Sequence, residues 1–172
     1  GFKEKVLAIE IDWPNIDDVM LDMDATPGNI AVSQQVLGLE IGQVYDLSFK
    51  TANSQEFEFN GEMLDTATNG LNVYWNGEQV YEIKPGSGTE FDTHNLNVRA
   101  GSGDGSNTLA LQGTGAADNV GLVVDDVRLV DSENLLVNGS FENTTGMTEN
   151  QWGHHAQNIQ GWTLEGNGTD DN

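Results

Sequence analysis

Tyr45, Leu47 and Phe49 alternate with Asp46, Ser48 and Lys50. A period of two puts the apolar set on one face of an extended strand and the polar set on the other. Leu109 and Leu111 repeat the pattern, as do Val123, Val127 and Leu129, and helical periodicity is almost absent. The chain holds 21 glycines and only 3 prolines, and clusters of Gly, Asn, Asp and Ser punctuate the alternating segments. An all-β domain follows. Strands are expected at Val6–Ile11, Val19–Met23, Ile30–Val36, Val44–Thr51, Leu71–Trp75, Gln79–Ile83, Phe91–Arg99, Asn107–Gln112, Gly121–Val130, Asn134–Val137 and Gly161–Leu164.

The turns have their own signatures. Asn76-Gly77 is a two-residue hairpin signal, because both positions tolerate positive φ. Leu39 to Gln43 reads as a tight turn before a core strand, and Thr26 to Asn29 as another turn. Gly101 to Ser106 reads as a flexible or ion-binding loop, and the Phe/Glu alternation of Asn53–Gly61 as a short edge strand or a functional loop. The segment Asn143–Gln160 has few regular signals, and loops beyond about 12–15 residues are usually functional or disordered.

At 172 residues the chain has the length of a single domain, with 6 basic residues against 28 acidic ones for a net charge of −22. Such a surface repels a phosphate backbone and an anionic membrane, so neither nucleic acid nor membrane insertion is expected. The acidity fits solvation in a salty medium, calcium binding through carboxylate oxygens, or both. With no cysteine, disulfides, thiolate catalysis and Cys-type zinc sites are excluded. No run approaches about 18 apolar residues, as a membrane-spanning helix needs. No signal peptide opens the chain, and Gly1-Phe2-Lys3 reads as the edge of a fragment, so a monomeric module of a longer chain is expected.

Several motifs carry a family resemblance. Asn134-Leu-Leu-Val-Asn-Gly-Ser-Phe-Glu142, followed by Gly161-Trp162-Thr163, resembles the opening strand of a carbohydrate-binding-module-like jelly roll. Ile30-x-x-Ser-Gln-Gln-Val36, Tyr45-Asp-Leu-Ser-Phe49, Val73-Tyr-Trp-Asn-Gly77 and Val123-Val-Asp-Asp-Val-Arg-Leu129 resemble its later strands, yet come first. The resemblance implies an antiparallel β-sandwich, circularly permuted or split. In this reading 1–172 is one domain, with 1–130 supplying later strands and 134–172 the opening strands. Val123–Val130 and Asn134–Phe141 would then be neighbours, joined by a short hairpin connection. The composition resembles that of modules from repeats-in-toxin surface adhesins.

Related modules hold a structural calcium where first and last strands meet. The resemblance therefore implies Ca2+ bound by Glu142 and one of Asp125 or Asp126. Asp125 shares the alternation face of Val123 and Val127, and an inward carboxylate needs a cation or several donors. Asp104, with Ser106 and Asn107, is a weaker oxygen donor set. Asn15, Asp17 and Asp18 form another, and Asp22 and Asp24 lie at strand spacing. A hydrated acidic surface is the plainer reading of each.

Sugar rings stack on aromatic planes and pair their hydroxyls with polar side chains. Trp152 in the long loop is the first ligand candidate, with Asn150, His154 and His155 beside it and Trp13 in another loop. Trp75 and Trp162 read as packing residues. No catalytic elbow or phosphate-cradling loop is present, and the carboxylates are too many to single out a glycosidase pair. The expected function is a non-enzymatic, calcium-dependent module of an extracellular bacterial adhesin, binding a glycan on a host or neighbouring cell. The alternatives are a calcium-mediated peptide binder and a structural extender without a ligand of its own.

Overall fold

The computed structural model describes residues 20–25, 28–54, 58–59, 62–63, 66–86, 88–101, 106–117, 120–131, 133–143 and 160–165. Its strands are β1 (Leu21–Asp22), β2 (Asp24–Ala25), β3 (Gly28–Asn29), β4 (Ala31–Val36), β5 (Val44–Asn53), β6 (Glu58–Phe59), β7 (Glu62–Met63), β8 (Gly70–Trp75), β9 (Glu78–Ile83), β10 (Asp92–Arg99), β11 (Asn107–Thr114), β12 (Leu122–Val130) and β13 (Thr163–Glu165). Two antiparallel sheets dominate, ordered β1-β12-β5-β10 and β13-β4-β11-β8-β9. Two small ribbons, β2-β3 and β6-β7, accompany them among the described residues. The protein is an antiparallel β-sandwich.

Alternation builds its core. Tyr45, Leu47 and Phe49 of one sheet and Val32, Leu71, Val73, Leu109 and Leu111 of the other are buried in one cluster. Burying each large apolar side chain contributes about 1.5–3 kcal/mol relative to leaving it in water. A second cluster of Met20, Ala52 and Val123, with Phe91 against it, covers part of the outer side of the four-stranded sheet. Asn76 and Gly77 adopt φ of 52° and 82°, as a two-residue hairpin between β8 and β9 requires. The turn before β5 closes with Gln43 N–H donating to the Glu40 carbonyl at 3.0 Å. Among the described residues no helix is long and apolar enough to cross a membrane.

Four expectations are corrected. Asn134–Val137 is not a strand: after one bridge from Val130 to Asn134 the chain turns. Asn134 Oδ1 accepts from Leu129 N–H at 3.0 Å and Leu136 N–H at 3.1 Å, replacing a ladder with a side-chain staple. Positive φ at Asn138 (51°) and Phe141 (60°) ends any extended run. The segment still lies against β12, through Val127 N–H donating to the Gly139 carbonyl at 2.7 Å. The strand expected at Gly161–Leu164 is instead β13, because Gly161 at φ 87° belongs to the preceding turn. The strand expected to end at Met23 breaks there, β1 pairing with β12 and β2 with β3. Finally, Asp125 does not share a face with Val127, because a bulge between Asp125 and Arg128, with Asp126 at φ 48°, shifts the alternation by one residue. The expected strand Val6–Ile11 lies outside the described residues.

Candidate functional site

The bulge organises the acidic candidates. Asp125 is buried on the outer side with Val123, opposite Lys50 of β5, and its Oδ1 accepts the Asp126 N–H at 2.6 Å. Asp126 is turned outward by its positive φ and meets Lys50 Nζ at 3.1 Å. Both partners of that ion pair are substantially exposed, so it contributes about 0–1 kcal/mol. Glu142 is exposed, immediately after the buried Phe141. Among the described residues no three Asp, Glu or His side chains converge on one point. Glu142, Asp125 and Asp126 are therefore not gathered as a trio. Asp104, Trp13, Asn150, Trp152, His154 and His155 lie outside the described residues, as do Asn15, Asp17 and Asp18.

Asp22 and Asp24 are more deeply placed than their spacing implied. Both are buried, and Asp22 Oδ1 accepts the N–H groups of Asp24 at 2.8 Å and Gly121 at 2.9 Å. Gly121 is required there, since a Cβ would press on the Asp24 backbone nitrogen and the Asp22 carboxylate. These hydrogen bonds give Asp22 a structural role, fastening β1 to the approach to β12.

Trp75 and Trp162 are core residues, as expected. Trp75 donates its Nε1–H to the Arg99 carbonyl at 2.8 Å. Trp162 donates to the Asn138 carbonyl at 3.1 Å and leans on Phe141 with ring centroids 5.4 Å apart.

The burial of Trp75 exposes what sequence reasoning passed over. Leu71, Val73 and Trp75 point inward, so Asn72 and Tyr74 point out from the five-stranded sheet. The register places Ala110 and then Ser33 beside Tyr74 on one side and Gln79 on the other. The next row reads Ala31, Gln112, Asn72 and Glu82. Tyr74 and Asn72 are half-buried, linked by a 3.4 Å contact from Asn72 Nδ2 to the phenol oxygen, while Gln79 and Gln112 are exposed. No outward residue of β4, β11 or β8 carries a charge at neutral pH. An aromatic flanked by small residues, amides and hydroxyls offers a platform with donors and acceptors around it. The strand alternation alone contained the signal: an aromatic out of phase with its buried neighbours.

At the side of the sandwich, His94 of β10 stacks on Phe49 at 5.1 Å between ring centroids. Its Nε2 lies 2.8 Å from Thr51 Oγ1 and its Nδ1 3.4 Å from the Tyr81 hydroxyl of β9. Burial lowers its pKa, partly opposed by Asp92.

No family model matches the chain. Over 117 residues, 68% of its length, the chain is 28% identical to the multifunctional-autoprocessing repeats-in-toxin protein of Vibrio cholerae serotype O1, and it spans 2% of that protein. It is similar in structure to a family 35 carbohydrate-binding module from an environmental isolate, with a TM-score of 0.51 at 12% identity, covering 76% of this chain and 85% of that one. The apo carbohydrate-binding module of PbXyn10C gives a TM-score of 0.48 at 20% identity over 90% of this chain and 86% of that one. At these identities the family 35 module bears on the fold alone.

Proposed function

We propose that the chain is a non-catalytic glycan-binding module, stabilised by calcium, within an extracellular bacterial adhesin. The observation that carries the binding is the open face of the five-stranded sheet. In a molecule that is 20% charged, its three central strands present only uncharged outward side chains around Tyr74. Amide groups both donate and accept, as sugar hydroxyls do, and an aromatic plane receives the C–H face of a sugar ring. The fold it shares with a family 35 carbohydrate-binding module supports the reading, as does the sequence match to a repeats-in-toxin protein. Calcium suits the oxygen donors at the β12 bulge, where Asp125 is buried beside Asp126, and carbonyl oxygens can complete a hard-cation shell. Trp152 and its loop remain part of the proposal as a second ligand element.

A glycan array probed with the whole chain tests it. Binding to at least one glycan, retained fold and lost binding in Tyr74→Ala are expected. A wild-type chain that binds no glycan, with or without calcium, overturns the reading in favour of a calcium-mediated peptide binder or a structural extender.

A further inference from the structure

The uncharged face is set in a molecule of net charge −22. Three of the four described cations lie elsewhere: Lys50, Arg99 and Arg128 occupy outward positions of the four-stranded sheet, on the opposite side of the sandwich, while Lys84 is exposed just past the end of β9, two residues after Glu82. The charge bordering Tyr74 on its own sheet is instead negative, since Glu82 of β9 is exposed opposite Asn72.

We infer that this face selects neutral, hydroxyl-rich glycans and excludes anionic ones through the field of the surrounding protein. The inference rests on the glycan reading above and specifies its ligand class. A uronate or sulfate laid on Tyr74 would approach a surface whose summed charge repels it, with no guanidinium or ammonium on β4, β11 or β8 to receive it. A neutral sugar meets the same amides and ring without that penalty. Exclusion by a field, unlike exclusion by a clash, is screened by salt over a length of about 10 Å at 0.1 M.

The test compares neutral linear oligosaccharides with carboxylated or sulfated versions of the same backbones. They are arrayed and probed with the whole chain and with Tyr74→Ala, in calcium, at about 0.05 M and about 0.5 M salt. The expected result is a preference for neutral members of about tenfold at the lower salt, shrinking severalfold at the higher. Equal or stronger binding of anionic members at low salt overturns the inference, as does a preference that salt leaves unchanged. Neutral binding that survives Tyr74→Ala overturns the face while leaving the glycan reading standing. Silence of every glycan overturns that reading itself.

Discussion

Val127 and Gly139 are pressed backbone to backbone: the Val127 N–H donates to the Gly139 carbonyl at 2.7 Å, and a Cβ on Gly139 would collide with the Val127 carbonyl oxygen. This contact, with the Asn134 staple, holds the turn that precedes Glu142 onto the strand that carries the acidic bulge.

Gly139→Ala is therefore expected to destabilise the sandwich by about 2–3 kcal/mol, since neither backbone can yield without breaking the bond. Gly88→Ala is the control, because its Cβ would meet nothing closer than the Glu90 nitrogen at 4.0 Å. A change of less than about 0.5 kcal/mol is expected there. Urea unfolding midpoints of the two variants check both, and equal midpoints would sink the close-approach argument.

Asn69 is fully buried, with its Nδ2 donating to Asn53 Oδ1 at 2.9 Å and to the Val120 carbonyl at 2.7 Å. Asn53 passes the network on to the Thr66 carbonyl at 2.8 Å. Asn69→Ala leaves buried acceptors without that donor and is expected to cost about 2–3 kcal/mol. Asn53→Ala breaks the same network, so the double variant should cost less than the two singles combined. A double-mutant cycle by chemical denaturation measures this, and strict additivity would show that the two amides act independently.

The strands around the core were legible because alternation and burial agree at Tyr45, Leu47, Phe49, Leu109 and Leu111. The β8–β9 hairpin was legible because Asn76-Gly77 fixes its own geometry. At Asp125 the alternation misled, because a bulge is one residue of positive φ that leaves no mark on the hydrophobic pattern. Asn134–Val137 misled for a related reason: its apolar content fits a strand, but the Asn134 side chain captures the backbone groups a ladder would use. Tyr74 carries no motif of its own; only strand alternation, with Leu71, Val73 and Trp75 turned inward, marks its ring as outward.

Calcium is expected to raise the thermal midpoint. A cation bound only by the folded state stabilises by about 2.7 kcal/mol at about a hundredfold excess over Kd, or roughly 5–10 °C for a domain of this size. Excess chelator should remove the gain, and Asp125→Asn should abolish the response while leaving an ordered fold. Midpoints that coincide with and without chelator in the wild-type chain would sink the stabilisation.

His94 gives stability a pH dependence whose sign follows from its burial. Its folded pKa is lowered from the ordinary value of 6.5 by desolvation against Phe49 and Tyr81, with Asp92 pulling the other way. The unfolded chain therefore takes up a proton first as pH falls. Above 6.5 the imidazole is neutral in both states and costs nothing. Below 6.5 the unfolded state is protonated while the folded state resists, and stability drops until pH passes the lowered folded value. Protonation also removes the acceptor from whichever ring nitrogen faces Thr51 or Tyr81. Carboxylates titrate mostly below this window, so urea midpoints between pH 7 and pH 5.5 are expected to fall in the wild-type chain by an amount that His94→Gln reduces. A wild-type loss that is unchanged in His94→Gln would assign the acid sensitivity to other groups.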